Sequence, residues 1–185
     1  MATKQTRRQY LLAMCAVGTA GLAGCSGDEP AEGTGTMATD SAPTGTVTNN
    51  LHPTRTVGIV DGERVSSVEV TVRRADGDGD INLGQTSVEW DDPTGTYELT
   101  SESATGGDGS FTVTSVEDDD GSISESSALN ADGDRATLTI DLTALGGALD
   151  AGASVTMGLT TPSGGSTEIQ LVVPKSLSGQ DTVNL

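Results

Sequence analysis

The sequence predicts an all-β sandwich, and three observations carry that expectation. From about Arg55 onward, apolar residues recur at every second position over short runs. Turn dipeptides rich in Gly and Asp separate those runs. No long helical stripe competes with them. Strict alternation sets one strand face on a core and the other in water, whereas a helix needs a 3.6-residue rhythm.

Val68, Val70 and Val72 alternate with Glu69, Thr71 and Arg73. Val88 and Trp90 flank Glu89, and Tyr97 and Leu99 flank Glu98. Phe111 and Val113 come next, then Leu138, Ile140 and Leu142. Val155, Met157 and Leu159 form a further set, and Ile169, Leu171 and Val173 the last. Turn signals fall between these runs at Asp61-Gly62, Asp76-Gly77, Pro93-Thr94-Gly95, Gly106-Gly107, Asp120-Gly121, Asp132-Gly133, Gly146-Gly147 and Ser163-Gly164-Gly165. Thr143–Leu149 has room for one helical turn before Gly147 stops it. Short strands at this spacing predict a β-sandwich of immunoglobulin-like type over residues 51–185.

Residues 1–24 carry a different signal. Lys4, Arg7 and Arg8 precede an apolar stretch, Tyr10 to Ala23, and no acid occurs before Asp28. The stretch is interrupted by Gly18, Thr19 and Gly21, and a membrane span takes about 20 predominantly apolar residues. A basic start, a short apolar middle and a small-residue exit make a secretory signal. Arg7 and Arg8, in Thr6-Arg7-Arg8-Gln9-Tyr10-Leu11-Leu12, resemble a twin-arginine (Tat) export motif. Leu22, Ala23, Gly24 and Cys25 resemble a lipobox, in which the cysteine sulfur takes a lipid and the chain is cut just before it. The expected outcome is a chain anchored by lipid to the outer face of the cell membrane. Residues 25–50 are rich in Gly, Thr, Ser, Asp and Pro and lack aromatics, so they read as a disordered linker.

Charge narrows the partners. The 185 residues hold 9 Lys and Arg against 27 Asp and Glu, a net charge of −18. Cleavage before Cys25 would remove three basic residues and no acid, for a net −21. Nucleic acid binding, which needs Lys and Arg for phosphates, is excluded. So is electrostatic attachment to an anionic membrane surface. Scattered acids, few lysines and abundant Thr, Gly, Asp and Ala resemble proteins of salt-loving archaea, where concentrated salt screens the self-repulsion.

Several segments resemble one family. Val65 to Leu83 reads VSSVEVTVRRADGDGDINL, followed by Ser87-Val88-Glu89-Trp90 and Phe111-Thr112-Val113-Thr114. Leu129-Asn130, Gly133-Asp134-Arg135, Leu138-Thr139-Ile140-Asp141-Leu142, Leu149-Asp150-Ala151-Gly152 and Val173-Pro174 follow in order. Over roughly residues 45–185 the chain resembles the outer domain of archaellins, the filament proteins of the archaeal swimming organelle, particularly those of halophiles. The resemblance implies a structural role. Archaellins also keep an N-terminal apolar helix that packs into the filament core, and in that place this chain has the Tat and lipobox motifs.

No catalytic constellation is legible. His52, the single histidine, lies in Leu51-His52-Pro53-Thr54 and reads as an exposed loop residue. Nucleophile elbows, Walker loops and dinucleotide fingerprints are absent from the sequence. One metal hypothesis arises from Asp76, Asp78, Asp80 and Asn82, oxygen ligands at alternate positions in a Gly-rich loop, as a hard cation such as Ca²⁺ requires. Ile81 stands where an EF-hand needs Gly, and Ser87 where it needs Glu. Glu117 with Asp118, Asp119 and Asp120 forms a second acidic turn. The sequence therefore predicts a non-enzymatic, lipid-anchored envelope protein with an archaellin-like domain. Expected partners are the membrane, surface-layer proteins or archaellum proteins, with no small-molecule substrate. The alternative is a subunit of the archaellum filament itself.

Overall fold

The computed structural model describes residues 49–104 and 106–185. Twelve strands and one short helix are laid out in order: β1 (Leu51–Asp61), β2 (Arg64–Arg74), β3 (Ile81–Asn82), β4 (Ser87–Asp92), β5 (Gly95–Ser101), β6 (Gly109–Glu117), α1 (Ser122–Ser126), β7 (Ala128–Leu129), β8 (Arg135–Asp141), β9 (Leu149–Asp150), β10 (Ser154–Thr160), β11 (Ser166–Val172) and β12 (Thr182–Asn184). Among the described residues no helix is long and apolar enough to cross a membrane.

One curled sheet holds most of these strands, in the order β11-β10-β4-β5-β6-β8-β2-β1-β12, with β9 added beside β2. All neighbours run antiparallel except β5 and β6. That parallel pair joins two halves with similar inner faces. In one half, Val68 lies opposite Ile140, which lies opposite Phe111. Val70, Leu138 and Val113 form the next row. In the other half, Ile169, Met157, Trp90 and Tyr97 line up across four strands. Leu159, Val88 and Leu99 form the row beside them. These rows meet in one apolar cluster, with Val68, Val70, Leu138, Met157 and Trp90 fully buried. Burying each Val, Leu or Met contributes about 1.5–3 kcal/mol, so the alternating positions dominate the stability of the sheet.

The strands expected from periodicity are all present. Leu142 leaves β8 for a 3-10 turn, Leu142–Ala144, where Asp141 accepts the Thr143 amide at 2.9 Å. This turn occupies the place where the sequence allowed a helical turn. At the β1–β2 hairpin, Gly62 has φ +68°, a conformation that glycine adopts without strain. Gly58 is needed for a different reason: an added Cβ would lie 2.9 Å from Val65 and 3.2 Å from Val183.

Two features depart from expectation. The first strand begins at Leu51, so His52 and Pro53 lie within it, with His52 exposed. A register shift between Pro53 and Arg55 accommodates the proline, and β12 pairs with β1 only at Val57–Ile59. The missing proline N–H therefore falls where no ladder bond is lost. The second departure is α1, five residues with no apolar stripe, which carries only Ile123 into the core. A helix this short draws its stability from tertiary contacts.

Candidate functional site

The acid-rich loop after β2 and the turn before β8 are tied together by one arginine. Arg74 closes β2 and is mostly buried. Its Nη1 donates to the Asp78 carbonyl at 2.7 Å, and its Nη2 donates to Asp132 Oδ1 at 2.5 Å. The buried Nε has no partner. The loop after β2 and the turn 131–134 are thus fastened to one strand end.

Within the first loop, the four residues proposed as cation ligands have separate partners. Asp76 pairs with Arg73 at 2.6 Å. Asp78 Oδ2 accepts the Asn50 amide at 2.5 Å. The Asp80 carbonyl accepts Asn49 Nδ2 at 3.2 Å. Asn82 lies in β3, and its carbonyl accepts the Thr86 hydroxyl at 3.1 Å. Among the described residues, Asp76, Asp78 and Asp80 do not form a converging group of three carboxylates.

Elsewhere three carboxylates do converge. Oxygens of Asp118, Asp120 and Asp134 lie within 4.8 Å of one another, the one such group of three among the described residues. Asp118 accepts the amides of Ile123 at 3.1 Å and Ser124 at 3.0 Å, and the Ser124 hydroxyl at 2.8 Å. Asp120 accepts the Ser122 amide at 3.0 Å and Asn130 Nδ2 at 2.9 Å. Asp134 is only 2% exposed, and its Oδ2 accepts the amides of Asn130 and Ala131, both at 2.8 Å. Desolvation is the largest single influence on Asp118 and raises its pKa, but hydrogen bonds from Ser124 and the Ile123 amide outweigh it and leave the pKa below the ordinary value. For Asp120, the Ser122 amide leads, with Asn130 next, and the pKa is again lowered. An all-oxygen set of this kind suits a hard cation, and ionised carboxylates retain lone pairs beyond those used here.

Asp134 was not legible as a member of this group. It lies 14 positions beyond Asp120, and only the pairing of β6 with β8 brings the two turns together. The available signal was local: Asn130 followed four residues later by Asp134, just before a strand, is a turn closed by a carboxylate.

Among the described residues no histidine or cysteine joins these acids. An open cleft of about 730 Å³ between the β1–β2 turn and the segment after β11 is lined by Asp61, Glu63, Arg64, Asp150 and Lys175. Its walls are mixed in charge and carry no aromatic residue, unlike the apolar pockets that hold small molecules. Arg7, Arg8, Leu22, Ala23, Gly24 and Cys25 lie outside the described residues.

A family model for archaeal-type flagellin matches residues 31–171. The chain is 30% identical over 159 residues to Flagellin A2 of Haloferax volcanii, covering 72% of this chain and 71% of that one. It is 30% identical over 152 residues to Flagellin B1 of Halobacterium salinarum, covering 80% and 75%. In structure it is similar to archaeal flagellin FlaB1 of Methanocaldococcus jannaschii, with a TM-score of 0.65, 18% identity and coverage of 74% and 96%. It is also similar to the archaeal flagellum of Methanospirillum hungatei strain JF1, with a TM-score of 0.54, 17% identity and coverage of 76% and 73%. The all-β sandwich, the acidic halophile-like surface and these matches lead to one conclusion: the chain belongs to the archaeal-type flagellin family.

Proposed function

We propose that this chain is a structural, non-catalytic subunit of the archaellum filament, with the sandwich as its outward-facing domain. The observation that carries this reading is the extent of the family match, which spans residues 31–171 and so covers nearly the whole sandwich. The acidic surface supports it, because a filament exposed to concentrated salt must stay hydrated and avoid lateral clumping. Its partners would be other archaellum proteins. The test is deletion and complementation in the source cell, with filaments sheared off, purified and analysed by mass spectrometry. The chain is expected in the filament fraction, and swimming is expected to fall on deletion. Full motility together with absence from sheared filaments overturns this reading.

A second reading is favoured by one specific observation, the sequence Leu22-Ala23-Gly24-Cys25 behind Arg7-Arg8. It makes the protein a lipid-anchored, archaellin-like component on the outer face of the membrane. The mass of the mature N-terminus separates the two readings. A lipid-modified Cys25, with release of a Cys25→Ser variant from the membrane, selects the anchored form. An unmodified terminus within the apolar segment selects the filament subunit.

A further inference from the structure

The fold carries a slot at the point where the chain enters the sandwich. Asn49 is held there by both its backbone and its side chain. Its amide donates to Ser163 Oγ at 2.9 Å, and its carbonyl accepts the buried Thr161 hydroxyl at 2.7 Å. Its side chain accepts the Gly79 amide at 3.0 Å and donates to the Asp80 carbonyl at 3.2 Å. One residue therefore touches the loop after β2 on one side and the β10–β11 hairpin on the other.

Gly165 shows that the slot is shaped for this occupant. It is buried, and an added Cβ would lie 2.1 Å from the Asn49 carbonyl oxygen and 2.8 Å from its carbon. No positive φ demands glycine at 165, so the close approach of Asn49 is the requirement. Two residues on, the Thr167 hydroxyl donates to the Leu51 carbonyl at 2.7 Å and continues the seam.

We propose that Asn49 is a latch, which fixes the position and heading of the chain at its entry to the sandwich and carries load there onto the loop after β2 and the β10–β11 hairpin at once. The sheet path runs from β11 at one end to β1 and β12 at the other, so these contacts join strands far apart in the sheet order. Without them, a pull on the chain before Leu51 would peel β1 from β2 one ladder bond at a time. With them, the pull is shared with β10 and β11. The mechanical consequence rests on the proposed function, since both readings put the anchoring part of the protein before residue 49. The latch itself does not.

The test is backbone ¹⁵N relaxation on the full chain in concentrated salt. The Asn49 amide is expected to have an order parameter in the rigid range, about 0.85. In Gly165→Ala it is expected to fall below about 0.6, while Val70 and Leu138 stay rigid. Asn49→Ala removes the side-chain contacts without adding bulk, and the same loss is expected at position 49. It serves as the reading if Gly165→Ala does not fold. A flexible Asn49 in the native chain overturns the latch. So does a position 49 that stays rigid in every variant that folds. Neither result depends on filament assembly, which the motility test reads separately.

Discussion

The loop after β2 and the group around Asp134 are alike in composition and different in wiring. Both are acidic turns with glycine, and either could be drawn as a cation site from sequence. In the first, Asp76 neutralises Arg73 and Asp78 holds the Asn50 amide, so the acids fasten neighbouring segments. In the second, three carboxylates share one small volume, and one of them is buried. Acid density does not decide which arrangement forms. The register of β6 against β8, and the amides that line each turn, decide it.

That contrast can be broken most severely at Asp134. Asp134→Ala leaves the amides of Asn130 and Ala131 without their acceptor in a part-buried turn. An unfolding cost of about 2–3 kcal/mol is expected in chemical denaturation. A change within error would show that the turn holds itself and that Asp134 is incidental.

Acid titration sharpens the same comparison with a smaller effect. Asp118 and Asp120 have folded-state pKa values below the ordinary 3.8. The unfolded chain therefore takes up protons first as pH falls. The stability from these two groups is complete above the ordinary value and is lost as pH drops through the lower folded values. In thermal melts between about pH 5 and pH 2, an Asp118→Asn, Asp120→Asn variant is expected to lose less stability than the parent. Parallel curves would contradict the assignment.

The smallest effect belongs to the first loop. Asp76 is largely exposed, and its pair with Arg73 is a surface ion pair. Asp76→Asn is expected to cost within about 1 kcal/mol, and less in concentrated salt. A loss comparable to that of Asp134→Ala would erase the distinction between the two regions.

The long strands were legible because burial writes itself into sequence with period two. Val68, Val70 and Val72, or Val155, Met157 and Leu159, announce both the strand and its inner face. Short pieces were not. The two-residue strands β3, β7 and β9 have no room for a period, and α1 has no stripe. β1 was visible only from Arg55, because Pro53 argues against a strand unless its N–H is known to point away from the ladder. Asn49 and Asn50, placed in the linker by composition, make tertiary contacts. Their polarity is used for hydrogen bonding to loops that lie far away in sequence.

By itself, the sequence determined the fold class, the inner face of each long strand, the absence of a legible catalytic set and the family resemblance. Each of these depends on residues a few positions apart, or on composition, which needs no coordinates. Only the tertiary structure decided that Asp134 joins Asp118 and Asp120, that Arg74 ties two loops, and that Gly165 makes room for Asn49. The physical reason is common to all three. Asp120 and Asp134, Arg74 and Asp132, and Asn49 and Gly165 lie 14, 58 and 116 positions apart along the chain, and hydrogen bonds act over about 3 Å. Nothing local in the sequence records which distant amide or carboxylate the sheet will bring within that reach.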